Sequence, residues 1–160
     1  MATPHRKLIA DRINARFAGI SVANGYKTDV STVAREIFDW ETANQEGSFP
    51  FICFRLGRTS YTYEAGRGVR GVMALDVVIH VPAATSVEKT DQISDFEDDV
   101  WAALADDQLN SVGATVLATS VKVQSFETDE GDPDTMDSHG GSGTGHIVAE
   151  IVYYRTADAT

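Results

Sequence analysis

The chain is short of several things, and each shortage narrows what it can be. It has one cysteine, Cys53. A single cysteine excludes an internal disulfide. Its setting between Ile52 and Phe54 in an apolar strand pattern marks a buried, inert thiol rather than a nucleophile. Long apolar runs are missing too: none approaches the roughly 20 residues a helix needs to cross a bilayer. The opening Met1-Ala2-Thr3-Pro4-His5-Arg6-Lys7 is basic, but no continuous apolar segment of a signal peptide follows it. These features predict a soluble, intracellular protein with no membrane partner. Basic charge is scarce, with 13 Lys/Arg against 24 Asp/Glu and a net charge of −11. That balance argues against a protein that holds nucleic acid by neutralising phosphates.

The distribution of charge says more than its total. Residues 1–70 hold ten Lys/Arg and seven Asp/Glu, a balance of +3, while residues 71–160 hold three and seventeen, a balance of −14. Chance clustering on solvated helices is the plain explanation. The sharper one is a protomer with a basic side and an acidic side, suited to head-to-tail association with copies of itself. At 160 residues the chain has the size of one domain, 1–160, able to bury a sizeable core.

The strongest local signal is residues 72–82, where Met73, Leu75, Val77, Ile79 and Val81 alternate without interruption. Period 2 is the mark of a strand with one buried face. The other face, with Val72, Ala74, Asp76, Val78 and His80, is mixed and expected to be partly covered. Pro82 ends the run, since it cannot donate to a sheet ladder. Towards the N-terminus, Leu8, Ile9, Ile13 and Phe17 between Pro4 and Gly19 predict a helix over about residues 4–18. Asn24-Gly25 is a turn signal. Residues 26–30 and 31–40 read as extended, the second as a strand rather than a helix, and 41–48 as a polar connector.

Residues 49–56 are apolar on both faces apart from Arg55 and predict a central strand with Pro50 near its start. Gly57-Arg58 reads as a turn, and residues 59–64 as a strand with Tyr61 and Tyr63 on one face. A Gly-rich basic loop over 65–71 completes a projecting hairpin. A helix from about 87 or 90 to 105 follows. Its buried stripe is read as Ile93, Phe96, Val100, Trp101 and Leu104, with Asp91, Asp95, Glu97, Asp98 and Asp99 facing water. Residues 114–126, with Val121 and Val123 inward, and 146–155 read as the last strands. Residues 127–145 between them, rich in Asp and Gly, read as a mobile acidic loop. With no βαβ alternation, the expected fold is α+β: a mainly antiparallel sheet with both helices packed on one face.

No motif predicts an active site. Gly66-Arg67-Gly68-Val69-Arg70-Gly71 matches G-x-G-x-x-G, but a dinucleotide loop must open a helix, and a strand follows here. The acidic run 129–137 lacks the ligand spacing of a calcium loop. His139 and His146 have no Cys or His partners at zinc spacing, and His80 reads as a partly exposed strand residue rather than a base. No cofactor, metal or catalytic residue is predicted. Tyr61 and Tyr63 interleaved with Arg55, Arg58, Arg67 and Arg70 could hold single-stranded nucleic acid. The acidic remainder of the chain weighs against that, and a protein interface suits the same residues. Asp95, Asp98, Asp99, Asp129, Asp132 and Asp134 are the matching acidic candidates.

The order of elements resembles the bacteriophage tail terminators, minor tail protein U and related tail-completion proteins, over most of the chain. The N-terminal helix is followed by Asn24-Gly25-Tyr26-Lys27-Thr28-Asp29-Val30, similar to the family's Gly-Tyr-x-Thr-Asp. Then come Val33-Ala34-Arg35, Phe49-Pro50-Phe51-Ile52, the Gly/Arg hairpin, the long apolar strand and an acidic helix ending in Ala-Leu-x-x-Asp-x-x-Leu. The resemblance implies a structural virion protein, assembled in the host cytoplasm. It would form a hexameric ring on the head-proximal end of the tail tube, stop tube polymerisation and meet a head-completion or neck protein. Residues 127–145 look longer and more acidic than the family's hairpin, so no role is carried over to them. The alternatives are another head–tail connector or neck protein, and a small α+β enzyme or ligand-binding domain.

Overall fold

The computed structural model describes residues 5–64, 68–82, 86–105, 111–112, 115–116, 120–129 and 143–155. Helix α1 (His5–Ala18) buries Ile9, Ile13 and Phe17 and ends where the Gly19 N–H reaches the Ala15 and Arg16 carbonyls. A 3-10 turn (Val22–Asn24) and an extended segment lead to β1 (Thr32–Ala34). Helix α2 (Trp40–Glu46), strands β2 (Phe51–Glu64) and β3 (Gly68–Val81) and helix α3 (Ser86–Ala105) come next. Strands β4 (Ser111–Val112), β5 (Thr115–Val116), β6 (Ser120–Asp129) and β7 (Gly143–Arg155) complete the described elements.

The main sheet has the order β1-β2-β3-β7-β6. Every pairing in it is antiparallel except β1 with β2. The fold is therefore the expected α+β class. Strand β3 is the spine, paired on one side with β2 and on the other with β7 from Val69↔Arg155 to Val81↔Gly143. Its alternation is real: Met73, Leu75, Val77 and Ile79 have no exposed surface. They form one core with Ile9, Ile13 and Phe17 of α1 and Ile93, Phe96, Val100 and Leu104 of α3. Both helices thus lie on the same sheet face. They are tied by Arg16, whose Nε donates to the Ala103 carbonyl at 3.2 Å.

On the second face a smaller cluster gathers Ala43, Phe51, Cys53 and Val78 under Ile37, Phe38 and Phe49. Here the structure corrects the sequence reading. Residues 31–40 are a strand only over β1, and the expected polar connector is helix α2. The Asp39 side chain accepts the Thr42 N–H at 2.7 Å, satisfying a donor that α2 would otherwise leave unpaired. The Thr42 N–H holds the Asp39 carboxyl below its ordinary range. Trp40 stacks on Phe49 and donates its indole N–H to the Val81 carbonyl at 3.0 Å.

Three further expectations move. Gly57-Arg58 is no turn: β2 runs through it with a register shift between Leu56 and Thr59. The Arg6 guanidinium donates to the Leu56 and Gly57 carbonyls and to Thr59 Oγ1, and so holds this bulge from outside. The basic loop is shorter than 65–71, because β3 begins at Gly68. The expected strand over 114–126 divides into β5, which pairs with β4, and β6, in which Val121 and Val123 pack on the main core. The acidic loop expected over 127–145 also shrinks. Strand β6 runs to Asp129 and β7 starts at Gly143, and 130–142 lie outside the described residues.

Candidate functional site

At its far end the β2–β3 hairpin leaves the cover of the helices. Ser60, Tyr61, Thr62 and Tyr63 are exposed on both faces of the strand, Tyr63 by 79%. Tyr61 and Tyr63 do share a face, the one that carries the helices, because they pair with Gly71 and Val69. Tyr61 meets Tyr153 edge-on, and the Tyr153 hydroxyl donates to that of Tyr61 at 3.2 Å. Between them in the same row lies Gly71, where a Cβ would stand 2.7 Å from Tyr153 Cζ. Gly68 holds φ at 93°, a left-handed conformation that glycine adopts without strain. Two glycines of the G-x-G-x-x-G string therefore serve the hairpin.

The expected arginines do not converge on those tyrosines. Arg55 and Arg70 lie on the opposite face: Arg55 ion-pairs with Asp76 at 3.5 Å, and Arg70 is opposite Thr62. Arg58 is exposed inside the bulge, and Arg67 lies outside the described residues.

A different basic constellation does form. Arg6 and Lys7 of α1 and Arg35 after β1 line an open groove of about 410 Å³ with Ala10, Phe54 and Leu56. Arg55 borders it too, although its guanidinium is paired with Asp76 on the other sheet face. Arg35 pairs with Asp11 across its rim. Of these residues the sequence pointed only to Arg55. The others come from separate stretches brought together by the packing of α1 beside β2. The Arg6-Lys7 pair in the first turn of α1 was the one local signal.

The acidic candidates divide. Asp98 holds the Lys27 ammonium at 2.8 Å, with Asp95 at 3.9 Å, and Asp98 raises the Lys27 pKa. Asp99 was expected to face water and is only 3% exposed. Both its carboxylate oxygens accept the Lys27 backbone N–H, at 3.0 and 3.1 Å, which pins the segment after the 3-10 turn to α3. Trp101 reverses in the other sense: expected in the core, it is 50% exposed. Burial, and the neighbouring Asp98 charge, raise the Glu97 pKa. Lys89 is buried, which nothing in the sequence announced. Asp129 is the last residue of β6, opposite Thr144, while Asp132 and Asp134 lie outside the described residues.

The second sheet face holds a polar cleft of about 430 Å³, lined by Arg55, Asp76, Glu127, Thr144 and His146 with Ile37 and Val78. Asp76 lies between Arg55 and His146, whose Nε2 is 3.3 Å from Asp76 Oδ1. Beside the cleft His80, expected to be partly exposed, is fully buried. Its Nε2 bonds the Phe38 carbonyl at 2.8 Å and its Nδ1 the Thr144 hydroxyl at 3.0 Å. A carbonyl can only accept, so Nε2 carries the proton and the Thr144 hydroxyl donates to Nδ1 in the neutral ring. Burial pushes the His80 pKa below 6.5. It pushes the Cys53 thiol above its ordinary value, with Sγ 3.4 Å from the Val78 carbonyl oxygen. Cys53 is thus the buried thiol expected.

Among the described residues no three His, Cys, Asp or Glu are grouped to hold a metal ion, and no helix is long and apolar enough to cross a membrane. No protein-family model matches the chain, and no curated protein matches it.

Proposed function

We propose that this protein is a structural subunit of a tailed bacteriophage: a tail terminator that assembles as a hexameric ring on the head-proximal end of the tail tube. In this reading the ring stops tube polymerisation and presents a surface to the head-completion or neck protein. It is built in the host cytoplasm and resides in the virion, and the chain performs no catalysis.

The observation that carries the reading is the separation of unlike surfaces on one subunit. A basic groove with an apolar floor lies between α1 and β2. Helix α3 carries exposed Asp91, Asp95 and Asp98 together with the half-exposed Trp101. Unlike patches on one chain favour head-to-tail contacts, which close into a ring when the rotation between copies closes. The order of elements that resembles the tail terminators supports the same reading. The test is to polymerise tail-tube protein with and without this chain and view the products by electron microscopy. Tubes of limited length capped at one end by a ring are expected; unrestrained growth with no cap would contradict the proposal.

A second reading, a ligand-binding domain, draws on the cleft around Asp76 and His146. Asp76 is already engaged there by Arg55 and His146, so a ligand would have to displace one of them.

A further inference from the structure

We infer that the joint between neighbouring subunits is made by Trp101 of one copy seated in the α1–β2 groove of the next. The inference rests on the head-to-tail assembly proposed above and names its two surfaces. Trp101 is half exposed near the C-terminal end of α3, where its apolar neighbours Phe96, Val100 and Leu104 are buried in the subunit's own core. Val87, the helix's other large exposed apolar side chain, lies in its first turn. Glu97 and Asp98 precede it by four and three residues, the spacing that places side chains on neighbouring positions of a helix surface. The knob is therefore an indole with the Glu97 carboxylate beside it, the Asp98 carboxylate being held by Lys27 of the same subunit.

The groove offers the complement. Ala10 and Leu56 give it an apolar floor, and Lys7 stands on its rim beside Arg35, which is already ion-paired with Asp11. Its volume of about 410 Å³ falls in the range of clefts that enclose groups larger than one side chain. Tryptophan in an apolar pocket ringed by polar groups is the usual anchor of a protein interface, and opposite charges around it fix its register. The groove is lined by residues of α1, β2 and the segment after β1 and by none of α3, so knob and groove are distinct surfaces. Two unlike surfaces make a heterologous joint, which uses both on every member of a ring.

The test uses full-length chains with one surface disabled in each. Trp101→Ala removes the knob, and Ala10→Glu fills the groove and sets a carboxylate against that of the knob. Lys7→Glu, on an exposed side chain, is a second groove variant. Circular dichroism and thermal unfolding confirm that each is folded, and native mass spectrometry reads the assembly. Trp101→Ala is expected to weaken self-association about 30-fold. Each variant alone should be monomeric, while an equimolar mixture of Trp101→Ala with Ala10→Glu, or with Lys7→Glu, should give a one-to-one heterodimer and stop there, since only one joint can form. Wild-type rings with undiminished rings from the variants would overturn this joint and leave the ring reading standing. Monomeric variants whose mixture gives no heterodimer would overturn it as well. A wild-type chain that stays monomeric at high concentration and low salt, alone and with tail-tube protein, would overturn both the joint and the ring.

Discussion

Asp99 offers the sharpest test of how the acidic helix is used. A carboxylate that is 3% exposed and accepts one backbone N–H with both oxygens joins α3 to the segment around Lys27. Asp99→Ala removes a charge-assisted hydrogen bond and leaves the Lys27 N–H without its acceptor. Hydrogen bonds to charged groups contribute roughly 1.5–3 kcal/mol, and a stranded donor adds to the loss. The expected destabilisation is about 2–3 kcal/mol, which lowers the melting temperature by about 4–12 °C in a domain of this size. Urea unfolding followed by tryptophan fluorescence measures it, with Asp98→Ala as the control. Asp98 is one residue away, but its side chain is 64% exposed, so its ion pair is screened by water and salt and should matter much less. Equal losses for the two variants, or a loss for Asp99→Ala no larger than an exposed ion pair gives, would refute the structural role. Asp99 would then return to the solvated acidic face.

Gly71→Ala should cost about 1–3 kcal/mol, because a Cβ there meets the ring of Tyr153. The cost should fall in a Tyr153→Ala background, and a double-mutant cycle by chemical denaturation checks the coupling. The buried, neutral His80 contributes stability that is complete above pH 6.5, where the unfolded chain is also neutral. That contribution is lost as pH falls from 6.5 toward the lower folded-state pKa, by at most about 1.4 kcal/mol per pH unit. Unfolding curves between pH 7.5 and 5 should show the slope, and His80→Phe should flatten it. Cys53 should resist an aromatic disulfide reagent in the folded protein and react fully in denaturant; rapid labelling without denaturant would contradict its burial.

What could be read from the sequence followed the strength of local periodicity. Strand β3 and helix α1 were plain because several apolar side chains repeat at one spacing without competition. Helix α2 was hidden for the opposite reason. Only Trp40 and Ala43 mark its inner side, so the signal lay in the Asp39 cap and Gly47 rather than in a stripe. The bulge at Leu56–Thr59 depends on Arg6, fifty residues earlier, and no local pattern announces such a contact.

On α3 the stripe was assigned slightly too wide. Trp101 stands roughly 100° further round the helix than Val100, past the edge of the core. Asp99, the same step the other way, turns toward the Lys27 segment. On either side of a correctly placed stripe one residue thus changed place, Asp99 into burial and Trp101 into solvent, and these are the two that matter most for the acidic side. The candidate site was legible as a contrast of charge between two parts of the chain. Its geometry was not, because the groove residues Arg6, Lys7, Arg35 and Arg55 meet only in the folded molecule.

The central claim is that the subunit assembles head to tail into a closed ring. Native mass spectrometry of the full-length chain across a concentration and salt series, alone and with tail-tube protein, tests it most directly. The account predicts a hexamer that dissociates as salt screens the unlike surfaces. A monomer, or a dimer that is indifferent to salt, under every one of these conditions would contradict it.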